Sequence, residues 1–172
     1  MKRVFNGRTL GIALAEGAAR VVEVRRLGVG GRIERAEEFR FPEGLTWDDP
    51  AALGRAFGLF LSARKFGTRR AALGLPAAWL MARAITLPPS APEAAAAMAR
   101  MQAERLYASE AERLVFDCAE GREDAQGRTL LLAATTRERL EAVTAFARAA
   151  RLKPLAVTSE TLCLAQCAAR AD

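Results

Sequence analysis

Two short apolar runs open this chain and constrain its fold more than anything after them. Residues 9–15 and 19–27 are rich in branched side chains and meet at Glu16-Gly17-Ala18. Runs of this length around a polar, glycine-bearing turn read as a hairpin buried on at least one face. Gly28-Val29-Gly30-Gly31 predicts a second turn. Residues 32–41 then set Ile33, Arg35, Glu37 and Phe39 against charged neighbours, as a third antiparallel strand with one wet face. No lysine stands at Walker spacing after those glycines and no helix follows them, so they read as a turn and not as a phosphate cradle.

Helices and strands alternate from there on. Asp49-Pro50 is a side-chain cap followed by proline at the first helical position. Leu53, Ala56, Phe57, Phe60 and Leu61 form an apolar stripe that must pack on the sheet, in a helix ending near Phe66-Gly67. Residues 70–75 read as a buried strand stopped by Pro76, and residues 79–87 as another closed by Pro88-Pro89. Ser90 and Glu93 form a capping box for an alanine-rich helix reaching about Tyr107. A strand over 112–118, a polar turn over 121–127 and an apolar strand over 129–135 follow. Thr135 and Glu138 repeat the capping box, and the helix through Ala150 buries Leu140, Val143, Phe146 and Ala147. A last strand at 155–157 leads into a helix capped by Ser159. The order is β-β-β-α-β, then β-α-β-β-α, then β-α: a mixed α/β fold whose middle has its own strand–helix–strand–strand sequence.

Composition narrows the chemistry. The chain has 172 residues, half of them hydrophobic, and no apolar run long enough for a membrane span or a signal peptide. Three cysteines, Cys118, Cys163 and Cys167, fit a reducing, cytoplasmic compartment. Cys163 and Cys167 lie four apart on one helix face and read as small buried hydrophobes, because structural zinc wants four ligands. The absence of histidine removes Ser-His and Cys-His nucleophiles and imidazole metal ligands together. The acidic pairs Glu37-Glu38, Asp48-Asp49, Glu110/Glu112 and Glu123-Asp124 are read as strand, cap and turn residues. No catalytic residue, metal site or cofactor is expected. The net charge of +6 is almost all arginine, a bias that fits a GC-rich genome, and it concentrates in residues 1–35 and 51–105. A basic face toward anionic lipid or an acidic partner is one reading of that clustering. Nucleic acid is a weaker reading, since no aromatic–basic interleaving accompanies the charge.

Residues 10–24, beginning Leu10-Gly11-Ile12-Ala13-Leu14-Ala15-Glu16-Gly17, and residues 74–89, beginning Gly74-Leu75-Pro76-Ala77-Ala78-Trp79, occur in an order and separation that carry a family resemblance. Together they resemble the start of the PilM family, actin-like cytoplasmic proteins of type IV pilus machines. They are also similar to the opening of the cytoplasmic domain of the type II secretion protein GspL. The resemblance covers nearly the whole chain but only the first half of a full PilM. It implies an actin-like (ribonuclease H-like) first subdomain with a mixed sheet, residues 1–76 and 152–172. A small strand–helix–strand–strand subdomain, residues 79–151, would be inserted in it.

In such proteins the first hairpin tip reads roughly Gly-Ile-Asp-Ile-Gly-Ser-Ser and approaches ATP phosphates. Here Ala13 stands at the acidic position and Ala15 at the first glycine, and Glu16 would oppose a phosphate even though Gly17 leaves backbone freedom. Arg20 stands where the family often has lysine. The resemblance without the nucleotide chemistry implies a nucleotide-independent scaffold at the inner face of a bacterial inner membrane. It would bind the cytoplasmic N-terminal tail of a PilN-like membrane protein and couple it to the assembly ATPase. In the family that tail lies extended in a groove between the two subdomains. The implied walls are residues 79–87 and 93–107, with Leu80, Met81, Arg83, Met98 and Met101 as groove residues. An actin-like ATPase of which this is the N-terminal piece, and a basic nucleic-acid-binding domain, are the competing classes.

Overall fold

The computed structural model describes residues 7–27, 30–88, 92–106, 113–124 and 127–168. Strands β1 (Arg8–Leu14) and β2 (Ala18–Leu27) form the expected antiparallel hairpin, and β3 (Gly30–Arg40) pairs antiparallel with β2. Every second residue of β1, namely Leu10, Ile12 and Leu14, is buried, as are Ala19 and Val21 opposite them. That period-two burial commits one face to a core. Helix α1 (Pro50–Ala63) then crosses over to β4 (Arg70–Leu75), which lies parallel to β1. β8 (Lys153–Ser159) pairs parallel with β4 and completes a mixed five-stranded sheet of order β3-β2-β1-β4-β8. This is the mixed α/β fold class with a mixed sheet expected from the sequence.

The apolar stripe of α1 is buried at Leu53, Phe57 and Leu61, and Asp49 caps it by accepting the Ala52 N–H at 2.8 Å. The helix ends earlier than expected. Its last turn closes on Lys65, whose φ is 56°, with Phe66 N–H donating to the Leu61 carbonyl at 3.0 Å. A non-glycine residue thus takes the left-handed position, so Gly67 was a misleading stop signal. α3 (Arg137–Ala149) ends in the same way on Arg151.

The chain divides into two compact units: residues 1–77 with 141–172, and residues 78–140. α3 starts in the smaller unit and ends in the larger, because Val143, Phe146 and Ala147 join the core that contains Phe57. The larger unit gathers seven aromatic rings: Phe39, Phe41, Trp47, Phe57, Phe60, Phe66 and Phe146. Their neighbouring centroids lie 5.2–6.4 Å apart. α4 (Glu160–Ala168) follows β8, with Ser159 Oγ accepting the Leu162 N–H at 3.3 Å.

The smaller unit is a three-stranded antiparallel sheet, β5 (Met81–Leu87), β7 (Gly127–Thr136) and β6 (Leu114–Asp124), in the order β5-β7-β6, with helix α2 (Pro92–Leu106). Two expectations are corrected here. Trp79 does not begin a strand: it ends a short 3₁₀ turn (Ala77–Trp79), buried, with the Arg139 guanidinium 4.6 Å from its ring centroid. The polar stretch expected as a turn continues β6 to Asp124, with a register shift between Glu120 and Glu123 and a Glu123–Arg128 pair across the strands. The two expected capping residues for α2, Ser90 and Glu93, and the pair Glu110/Glu112, lie outside the described residues or side chains.

Thr135 does not cap α3. Thr136 does, its Oγ1 accepting the Arg139 N–H at 3.2 Å, while the buried Thr135 hydroxyl donates to the Trp79 carbonyl at 2.9 Å. Thr135→Val should therefore cost about 1–2 kcal/mol by leaving that carbonyl short of a donor. Thr136→Ala should cost about 1 kcal/mol as a lost cap. Urea melts of both variants check this; a silent Thr135→Val would contradict the assignment.

Candidate functional site

Two places carry the residues singled out by the sequence. The first is the β1–β2 tip. Ala13 is half-buried, paired with Arg20 of β2 on one side and Gly74 of β4 on the other. Ala15, Glu16 and Gly17 are exposed. The backbone of the tip is already engaged. Ala15 N–H donates to the Ala18 carbonyl at 2.9 Å, the Trp47 indole N–H donates to the Ala15 carbonyl at 2.9 Å, and Phe41 N–H donates to the Gly17 carbonyl at 3.0 Å.

Arg20 is held by Glu38 at 3.2 Å, and Glu38 also takes Arg40 at 2.9 Å. Hydrogen bonds from Arg40 first and Arg20 second hold the Glu38 carboxyl below the usual carboxylate range. Beside Ala13, the end of β4 meets the start of α4: a Cβ on Gly74 would lie 3.5 Å from the Cα and Cβ of Glu160. The tip therefore presents the half-buried methyl group of Ala13 and the exposed carboxylate of Glu16.

The second place is the smaller unit's sheet and its helix. β5 is an edge strand, hydrogen-bonded to β7 alone among the described residues. Side chains alternate along it, so Met81, Arg83, Ile85 and Leu87 share one face, and their β7 partners on that face are Ala134, Leu132, Leu130 and Arg128. α2 covers this face at one end: Leu87, Ala95, Ala99 and Leu130 form a buried cluster with Ile85 and Met98 packed against it. The same row then runs out from under cover, for Arg83 is exposed and Met81 is 37% exposed.

Leu80, half-buried, precedes β5. Met98 and the β5 row thus meet on one side of the sheet, whereas Met101 is 69% exposed and points elsewhere. Two helical residues three apart stand about 60° apart around the axis, so the edge of a core can pass between them. Toward the opposite edge, a cleft of about 420 Å³ opens along β6, lined by Ala99, Ala103, Leu114, Phe116, Cys118 and Arg137 among others. Sequence reasoning missed this cleft, since residues from α2, β6 and the start of α3 meet only in the fold.

One further reading changes. Cys163 is exposed, not buried, with its thiol 4.0 Å from the Thr158 hydroxyl, and Cys118 is exposed as well. α4 meets β4 through its first turn, and Thr161, Cys163 and Leu164 face solvent. The Cys167 side chain lies outside those described. No helix among the described residues is long and apolar enough to cross a membrane.

No protein-family model matches the chain, and no curated protein does. Solved structures do match. The chain is similar to a PilM–PilN type IV pilus biogenesis complex at 23% identity and TM-score 0.76, over 91% of this chain and 48% of that one. It is similar to the cytoplasmic domain of EpsL, an inner-membrane component of the type II secretion system of Vibrio cholerae. That match has 15% identity and TM-score 0.61, over 89% and 57%. A looser match, at 8% identity and TM-score 0.44 over 92% and 55%, is a Bacteroides thetaiotaomicron protein with an actin-like ATPase fold. The chain spans about half the length of the solved structures it matches.

Proposed function

We propose that this chain is a nucleotide-independent part of a PilM/GspL-type platform at the cytoplasmic face of a bacterial inner membrane, serving a type IV pilus or type II secretion machine. Its task is to hold a short, extended cytoplasmic peptide of a PilN-like membrane partner and couple that partner to the assembly ATPase. The observation that carries the reading is β5, a seven-residue edge strand whose row of Leu87, Ile85, Arg83 and Met81 runs out from under α2. An extended peptide laid against such an edge gains main-chain hydrogen bonds, and pockets for alternate side chains give specificity. Arg83 pairs with an acidic residue of the peptide, and Leu80, Met81 and Met98 take an apolar one. Met101 extends this wall only if the peptide continues over α2. The likeness to a PilM–PilN complex supports the choice of partner.

The test is a calorimetric titration of the chain with the N-terminal cytoplasmic peptide of the inner-membrane protein encoded beside it. Saturable 1:1 binding is expected, with Arg83→Glu weakening it at least about tenfold and leaving the melting temperature unchanged, because Arg83 is exposed. Unchanged affinity in that variant retires Arg83, and absent binding retires the reading. The β1–β2 tip supports nucleotide independence: millimolar Mg·ATP should not shift the melting temperature. A clear shift would revive the ATPase alternative. Nucleic acid is not a partner in this reading, and a salt-sensitive DNA or RNA complex would count against it.

A further inference from the structure

The larger unit has a second cavity that the peptide-holding role does not use. α1, the turn after it and the C-terminal end of α3 enclose a cleft of about 920 Å³. Four of its lining residues are arginines (Arg55, Arg69, Arg148 and Arg151), and none is acidic. Arg69 is committed: its guanidinium donates to the Phe66 and Thr68 carbonyls at 3.3 and 3.2 Å and to Ser62 Oγ at 2.8 Å. The other three are exposed and have no carboxylate partner among the described residues.

Helix electrostatics accounts for only part of this. Arg148 and Arg151 stand at the C-terminal end of α3, where the dipole favours a cation. Arg55 lies in the N-terminal half of α1, where it does not. The floor is apolar, because Gly58 has no side chain and its Cα approaches Ala150 closely, while Leu59 stands at the rim 73% exposed.

We propose that this cleft docks an acidic segment of a partner protein, distinct from the peptide on β5. Carboxylates of the segment pair with Arg55, Arg148 and Arg151, and an apolar side chain rests on Leu59 and the glycine–alanine floor. Guanidinium forks match carboxylates in bidentate geometry. A recess of this size, with an exposed leucine at its rim, suits a side-chain-bearing peptide better than a lone phosphate. It is also concave, whereas a bilayer surface meets flat or convex charge.

The test uses the full chain and a fluorescein-labelled dodecapeptide of repeated Glu-Leu-Ser, read by anisotropy. A Lys-for-Glu twin of the peptide and phosphatidylglycerol–phosphatidylcholine vesicles serve as the other arms. Saturable binding of the acidic peptide alone is expected. Arg55→Glu with Arg148→Glu should weaken it about tenfold or more, and Leu59→Asp should weaken it about threefold. Arg26→Glu with Arg32→Glu makes the same change in net charge on exposed residues of β2 and β3, and should alter affinity less than about twofold. Equal losses in both double variants would reduce the effect to net charge and overturn the proposal. So would absent peptide binding, or binding to vesicles alone through Arg55 and Arg148.

Discussion

Replacing Gly54 with alanine is expected to destabilise the larger unit by about 2 kcal/mol, although helix propensity alone predicts a gain of about 1 kcal/mol. The reason is the closeness of α1 and α3. A Cβ on Gly54 would run into the Phe146 carbonyl oxygen and come within 2.9 Å of the Ala149 Cβ. The atom it meets first is backbone, fixed by the hydrogen bonds of α3, so the helices must separate rather than a side chain turn aside. Separation loosens the packing around the fully buried Phe57 and Phe146. Gly54→Val should cost about twice as much.

Gly58, one turn on, is the internal control. Its Cβ would lie 3.2 Å from Ala150, so a few tenths of an ångström suffice, and Gly58→Ala should stay within about 0.5 kcal/mol of wild type. Denaturant midpoints at constant m-value measure all three variants. A neutral Gly54→Ala would mean that the helices do not approach as closely as described.

The same two glycines mark the limit of what the sequence conveys. The hairpin and the α1 stripe are legible because burial follows a local pattern, and β4 and β7 because they are short continuous apolar runs. Gly54 and Gly58 carry no local signal except a propensity penalty, and their role exists only once α3 is brought beside α1. The caps show the same limit at smaller scale. Lys65 and Arg151 occupy left-handed positions that sequence rules reserve for glycine, and Thr136 is the cap where Thr135 is expected, while Thr135 ties to the Trp79 carbonyl.

At the candidate sites, the tip at Ala13, Ala15 and Glu16 is a matter of residue identity and could be read directly. The common face of Met81 and Arg83 needs the β5–β7 register, and the different surroundings of Met98 and Met101 need to know where α2 is covered. The arginine cleft joins residues from α1 and α3 that lie on either side of the whole smaller unit, so no window of sequence contains it.

Phe146→Ala should be the most damaging single truncation, costing about 4 kcal/mol, a large part of the ~5–15 kcal/mol that holds a domain of ordinary stability. The ring is fully buried and lies 5.2 Å from Phe57 and 5.3 Å from Trp47, centroid to centroid. Phe57 in turn contacts Phe39 of β3 at 5.3 Å, and Trp47 holds the Ala15 carbonyl of the hairpin tip. One side chain, arriving from a segment that follows the entire smaller unit, therefore supports α1, β3 and the first hairpin together. Because its neighbours are rings on separate elements, they cannot all collapse into the space it leaves, and the cavity cost adds to the lost burial. Phe146→Leu keeps most of the apolar volume and should cost only about 1.5 kcal/mol. The chain's second tryptophan, Trp79, belongs to the smaller unit, so the near-ultraviolet signal of a Trp79→Phe background reports on Trp47. In that background Phe146→Ala should flatten the Trp47 band before global unfolding. A loss under about 1 kcal/mol, with the band intact, would show that α3 does not close this core.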